Sequence, residues 1–226
     1  MNEDDIDAKG HRERLRRRLL DQGPDALLDH ELVEFLLTLV TPRIDTKPRA
    51  KAMIREFGGV GPLLAADAET LVRAGLTERE ASAVKIAEAS ALRMLKSRVS
   101  DRPVLGGWQA LLDYLSADMA HQAIERVRVL HLNSKNALIR DELVSEGSID
   151  QAAVYIREVI KRALDLGSAS LILVHNHPSG DPSPSHQDID LTRQISQAGK
   201  PLGIVVHDHI VIGRDGHSSL RSLGLI

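Results

Sequence analysis

The spacing of apolar residues changes near residue 98. Before that point it is helical, with few β-branched runs. Asp29 to Leu39 reads as a helix with Leu32, Phe35, Leu36 and Leu39 on one face. Ala50 to Phe57 reads as another, closed by Gly58 and Gly59. Leu63 to Ala65 and Ala68 to Arg73 are short helical segments. Gly75 and Thr77 break the pattern, and Glu80 to Leu95 forms a long helix. Ser97 to Pro103 is polar, ends in proline and reads as a linker. The pattern therefore predicts an all-α domain over residues 1–98 and a second domain over 104–226.

In the second part, helices alternate with strands. Trp108 to Leu115 reads as a helix, Glu125 to Leu132 as an alternating strand and Ala137 to Val144 as a second strand. Val154 to Leu166 places Ile156, Val159, Ile160, Ala163 and Leu164 at helical spacing, with Gly167 as its stop. Ala169 to Val174 is apolar on both faces, as a buried central strand should be. Asp188 to Ala198 is helical, and Gly203 to Ile212 supplies one or two closing strands. This order defines an α/β domain.

Composition narrows the chemistry. The 226 residues are 42% hydrophobic and 27% charged, an ordinary globular balance. No apolar run is long enough to span a membrane, and the N-terminus lacks a secretory apolar region. Cytoplasm is the expected location. A net charge of −3 gives no global basic field. There is no cysteine, so disulfides, thiolate metal sites and a cysteine nucleophile are excluded. Any metal must sit on histidine or carboxylate.

The segment HNHPSGDPSPSHQD, His175 to Asp188, concentrates such residues. His175 and His177 are two apart at the end of the buried strand, so both rings project to one side. A Pro/Ser/Gly-rich turn follows, and then a helix with Ser185 as its N-cap. Asp188 falls in the first turn, on the face of Leu191, Ile195 and Ala198. Two histidines and one carboxylate make a three-ligand site with a fourth position left for water, as in catalytic zinc centres. Imidazole and carboxylate also suit iron or nickel. The structural alternative is that Ser185-x-x-Asp188 is only a helix capping box.

Glu125 is in phase with Val127 and Val129, opposite Arg126 and Arg128, and so points inward as a candidate general base. Alternatively it lies at a solvated strand end and pairs with an arginine. A second H-x-H, His207 and His209, offers another metal pair with Asp208, or simply a polar strand. Cytidine-deaminase-type zinc sites need cysteine and are excluded.

The Ala74 to Thr77 turn between two helices resembles a helix-hairpin-helix, whose glycine-rich turn offers N–H groups to phosphate. Gly75 is present, but Glu78 and Arg79 stand where a second glycine is expected. Arg14, Arg16, Arg17 and Arg18 form a basic run, offset by Glu3, Asp4, Asp5 and Asp7.

His175-x-His177, seven residues, then Ser185-x-x-Asp188 matches the JAMM (MPN+) metalloprotease motif in full spacing. The longer HNHPSG…PS…D form resembles the RadC family, as do Arg157 to Ile160, Asp208 to Gly213 and Leu220 to Leu225. The resemblance implies an αβα-layered, deaminase-like JAMM/MPN domain after a small helix-hairpin-helix-like domain. It implies one Zn2+ per chain on His175, His177 and Asp188. In the same mapping Glu125 is the general base, and Ser185 hydrogen-bonds the tetrahedral intermediate. The implied substrate is a protein or peptide, cut at a peptide or isopeptide bond. The alternative is a non-catalytic DNA-binding accessory protein of repair or recombination, touching DNA weakly through the N-terminal domain.

Overall fold

A computed structural model describes residues 3–100, 104–147 and 154–226. The chain divides into two compact units, Met1–Ala91 and Leu92–Ile226. No helix among the described residues is long and apolar enough to cross a membrane.

The first unit is built from α1 (Glu3–Gln22), α2 (Asp29–Val40), α3 (Lys47–Phe57), α4 (Val60–Ala65), α5 (Ala68–Arg73) and the start of α6 (Glu78–Ser100). Its core is Val33, Leu37, Ala50, Met53, Leu63, Leu71, Leu76 and Val84. The buried stripe of α2 is displaced by one residue from the expected one. Val33 and Leu37 face inward, with Glu34 and Thr38, whereas Leu32 and Leu39 are exposed. Both polar side chains meet a partner: Thr38 Oγ1 donates to the Glu34 carbonyl at 2.9 Å, and Glu34 Oε1 lies 2.9 Å from His11 Nε2. Gly58 ends α3 in the left-handed conformation. Ser97 to Ser100 continue α6 rather than forming a linker, because nothing in their sequence breaks the helix. Asp101 to Pro103 lie outside the described residues.

The second unit holds α7 (Trp108–Met119), β1 (Glu125–Leu132), β2 (Leu138–Gly147), α8 (Ile156–Asp165), β3 (Ser170–Asn176), α9 (His186–Gly199), β4 (Val205–Gly213) and β5 (Gly216–Ser219). The strands form one mixed sheet in the order β2-β1-β3-β4-β5. Only β3 and β4 run parallel, joined through α9. All seven residues of β3 are buried, as its apolar run predicts.

Alternation along the strands makes two cores. Leu130, Leu132, Ile172, Val174, Ile210 and Ile212 pack on Leu111, Leu115 and Met119 of α7. On the other face, Val129, Leu171, Leu173 and Val206 meet Val159, Ile160 and Ala163 of α8 and Ile195 of α9. Each such side chain contributes roughly 1.5–3 kcal/mol by leaving water. Leu164, expected in this core, is instead exposed. It lies beyond the α8 stripe that the sheet covers. Gly167 (φ +63°) reverses the chain after α8 and delivers it into β3.

Candidate metal centre

The centre forms where β3 ends and α9 begins. His175 is the penultimate residue of β3 and is buried; His177 follows one residue past the strand and is partly open. Both rings stand on the face covered by α8 and α9, because His175 pairs with Val127 across the ladder and Val129 packs in that core. The chain then turns through Gly180, whose φ of +98° requires glycine, and re-enters as α9.

This turn is fastened through its main chain. Gly180 N–H donates to the His177 carbonyl at 3.0 Å, and the Gly180 carbonyl accepts from Asp215 N–H at 3.2 Å. Arg214 Nη2 donates to the Ser179 carbonyl at 3.1 Å. Gly213 lies so close that a Cβ there would sit 2.1 Å from the Gly180 oxygen.

Ser185 caps α9. Asp188 N–H donates to Ser185 Oγ at 3.2 Å, while Ser185 N–H and Oγ–H donate to Asp188 Oδ2 at 2.7 and 2.6 Å. The capping box is therefore real, and it does not compete with a ligand role. It aims the carboxylate: Asp188 Oδ1 lies 3.2 Å from His175 Nε2, and Oδ2 lies 3.7 Å from His177 Nε2. His175 Nε2 and His177 Nε2 are 2.9 Å apart. Ligands of a tetrahedral zinc, about 2.0–2.1 Å from the ion, lie about 3.3 Å from one another. The three separations bracket that value, so the donor set fits such an ion. This is the one metal-type cluster found among the described residues.

Burial works against ionisation of Asp188, but the two imidazoles beside it, His175 and His177, outweigh it and hold its pKa well below the usual carboxylate range. The Asp188 carboxylate beside it raises the pKa of His177. His177 Nδ1 donates to the Asp181 carbonyl at 2.9 Å, which leaves Nε2 as the nitrogen that faces the cluster.

Continuing the Val127–His175 register by two residues sets half-buried Glu125 opposite His177. Asn176 points to the other side of β3. Its Oδ1 accepts from Arg126 N–H at 2.8 Å and its Nδ2 donates to the Ile124 carbonyl at 3.1 Å. Both backbone groups flanking Glu125 are thus held by one side chain. Nothing in the sequence pattern marks Asn176 for this role. Arg126 does not pair with Glu125; it bonds Glu146 at 2.9 Å.

His207 and His209 do not form a second metal pair. A β-bulge between β3 and β4 skips His207, so the two rings diverge. His207 Nε2 bonds Asn136 Oδ1 at 2.8 Å. His209 is buried behind the centre, with its ring Nε2 2.8 Å from His175 Nδ1 and its Nδ1 2.6 Å from Thr192 Oγ1. Burial, and next the adjacent His175, push its pKa down to about 3. Asp208 faces away and is consumed by Ser219 Oγ and the Arg221 N–H.

In the first unit the Ala74 to Thr77 turn spends its N–H groups internally. Gly75 N–H donates to Val72, Leu76 N–H to Leu71 and Thr77 N–H to Glu80 Oε2. Glu80 is buried and is also gripped by Arg49 at 2.6 Å. Arg16 and Arg17 pair with Glu13, and Arg18 with Glu31. The side chains of Glu3, Asp4, Asp5 and Asp7 lie outside the described residues.

The five-stranded mixed sheet between helices is consistent with a JAB/MPN fold. Residues 105–225 match the family model for the RadC-like JAB domain, which is more than half of the chain. The chain belongs to the RadC family.

Proposed function

We propose that this protein is a JAMM-type zinc hydrolase that cleaves a peptide or isopeptide bond. One observation carries the reading: His175 Nε2, His177 Nε2 and the Asp188 carboxylate converge at separations of 2.9–3.7 Å. A zinc ion held by these residues would supply Lewis acidity for activating water and polarising a carbonyl. Glu125, opposite His177, takes the proton of the attacking water and returns it to the leaving amine. Asn176 fixes the strand segment that carries Glu125. The Ser185 hydroxyl, at the rim of the cluster, turns its one hydrogen from Asp188 Oδ2 to the developing oxyanion.

The alternative of a non-catalytic DNA-binding accessory role gains no support from the Ala74 to Thr77 turn. Its amides are spent within the protein, and the Glu80 carboxylate occupies the cap that phosphate would need. That role predicts salt-sensitive nucleic-acid binding that survives loss of zinc.

The deciding experiment is elemental mass spectrometry on untagged protein and on Asp188→Ala. The expected result is about one zinc per chain in the wild type and loss of it in the variant. A wild type that stays metal-free after incubation with zinc overturns the proposal.

A further inference from the structure

The hydrogens behind His175 can be assigned one by one. Thr192 has a single hydroxyl hydrogen. Thr192 Oγ1 lies 2.5 Å from the Asp188 backbone carbonyl, which can only accept. The hydroxyl hydrogen is therefore committed there. Thr192 Oγ1 also lies 2.6 Å from His209 Nδ1, so this second contact must be one in which His209 Nδ1–H donates. A neutral imidazole that carries its hydrogen on Nδ1 has a lone pair on Nε2. His209 Nε2 faces His175 Nδ1 at 2.8 Å, so His175 Nδ1–H is the donor in that bond. His175 Nε2 is then left without a hydrogen, and it is the atom that meets His177 Nε2 and Asp188 Oδ1.

We propose that Thr192 and His209 are positioning residues that lock His175 into its Nδ1–H tautomer and so present Nε2 to a metal ion. The inference rests on the metal-site reading above. All three side chains are almost completely buried, so water cannot replace a lost partner. The other tautomer of His209 would set a ring lone pair against a hydroxyl lone pair at 2.6 Å. The arrangement also joins elements. Thr192 sits one helical turn after Asp188 on α9, so the turn that supplies the carboxylate also fixes the tautomer of the β3 histidine through β4. Groups hydrogen-bonded behind a metal-bound histidine typically contribute 10–100-fold in metal affinity.

The test compares wild type, Thr192→Val and Thr192→Ser by two readouts. The first is zinc affinity by chelator competition. The second is the ring tautomer of His175 in metal-free protein, from proton–nitrogen correlation spectra. Valine keeps the shape of threonine but removes the hydroxyl; serine keeps the hydroxyl.

The expected result is an Nδ1–H His175 in wild type and in Thr192→Ser. In Thr192→Val a mixture of tautomers is expected, with zinc affinity lower by about 10–100-fold and restored in Thr192→Ser. Wild-type affinity and an unchanged tautomer in Thr192→Val overturn the proposal. So does an Nε2–H His175 in the wild type. A wild type that takes up no zinc overturns the metal-site reading instead, and the ring spectra of the metal-free proteins still decide the tautomer lock.

Discussion

Asn176 holds the backbone on both sides of Glu125, through the Arg126 N–H and the Ile124 carbonyl. It is the residue between the two histidines proposed as ligands, so the strand that would offer them to a metal also fixes the proposed base. Asn176→Ala leaves two backbone groups unpaired at the start of β1, at a cost of about 1–3 kcal/mol. The expected variant keeps its zinc but loses on the order of 10²-fold in hydrolysis, because the base is no longer held in place. Zinc content and turnover measured on the same sample separate the two effects.

Glu125→Gln keeps the shape of the residue and removes its ability to take a proton. Zinc stoichiometry is expected to stay at the wild-type value, while the rate on a peptide library falls about 10²–10⁴-fold. A fully active, zinc-loaded variant would show that the base is elsewhere.

Ser185→Ala removes both the N-cap of α9 and the hydroxyl that holds Asp188 Oδ2. The expected loss of stability is about 1 kcal/mol, seen as an earlier denaturant midpoint. Zinc affinity falls as well, because the carboxylate is no longer aimed. Ser185→Thr, which keeps the hydroxyl, is expected to recover both.

The first unit carries its own pH dependence. Arg18 Nη1 and Nη2 each lie 2.8 Å from an oxygen of Glu31. The hydrogen bond from Arg18 holds the Glu31 pKa at about 2, against 4.5 for a free glutamate. The folded-state pKa is depressed, so the pair's stabilisation is complete above pH 4.5 and drains away as pH falls towards 2. Thermal melts followed by helical circular dichroism are expected to show a falling midpoint across that window. Glu31→Gln is expected to melt earlier at neutral pH, with a shallower slope below pH 4.5.

Local patterns explain why the candidate ligands could be proposed from the sequence. His175 and His177 share a side because strands have a period of two, and Asp188 is aimed by a cap that follows Ser185 by three residues. Those relations lie within fourteen consecutive positions. The residues that act behind them are set by pairing between distant strands. His209 reaches His175 through the parallel register of β3 and β4, and a bulge diverts His207, which no H-x-H spelling reveals. Asn176 finds β1 by an antiparallel register fifty residues back in the chain. The buried face of α2 departs from its hydrophobic pattern for a related reason. Thr38 is buried against Thr46, eight residues later, and the Glu34 carboxylate against His11 of the preceding helix; hydrophobicity alone assigns both to solvent.

The turn from Ser179 to Pro184 is fastened by its carbonyls, by the bare approach of Gly213 to Gly180 and by Asp181 Oδ1, which accepts from Ser183 N–H. Ser179 and Ser183 are exposed at the edge of the centre, so they can be exchanged with a stability change of about 0.5 kcal/mol or less. The rim is thereby evolvable: selection can rewrite the surface around the cluster while the frame beneath keeps its shape. Gly180 and Gly213 are the two positions of that frame where the same freedom is denied.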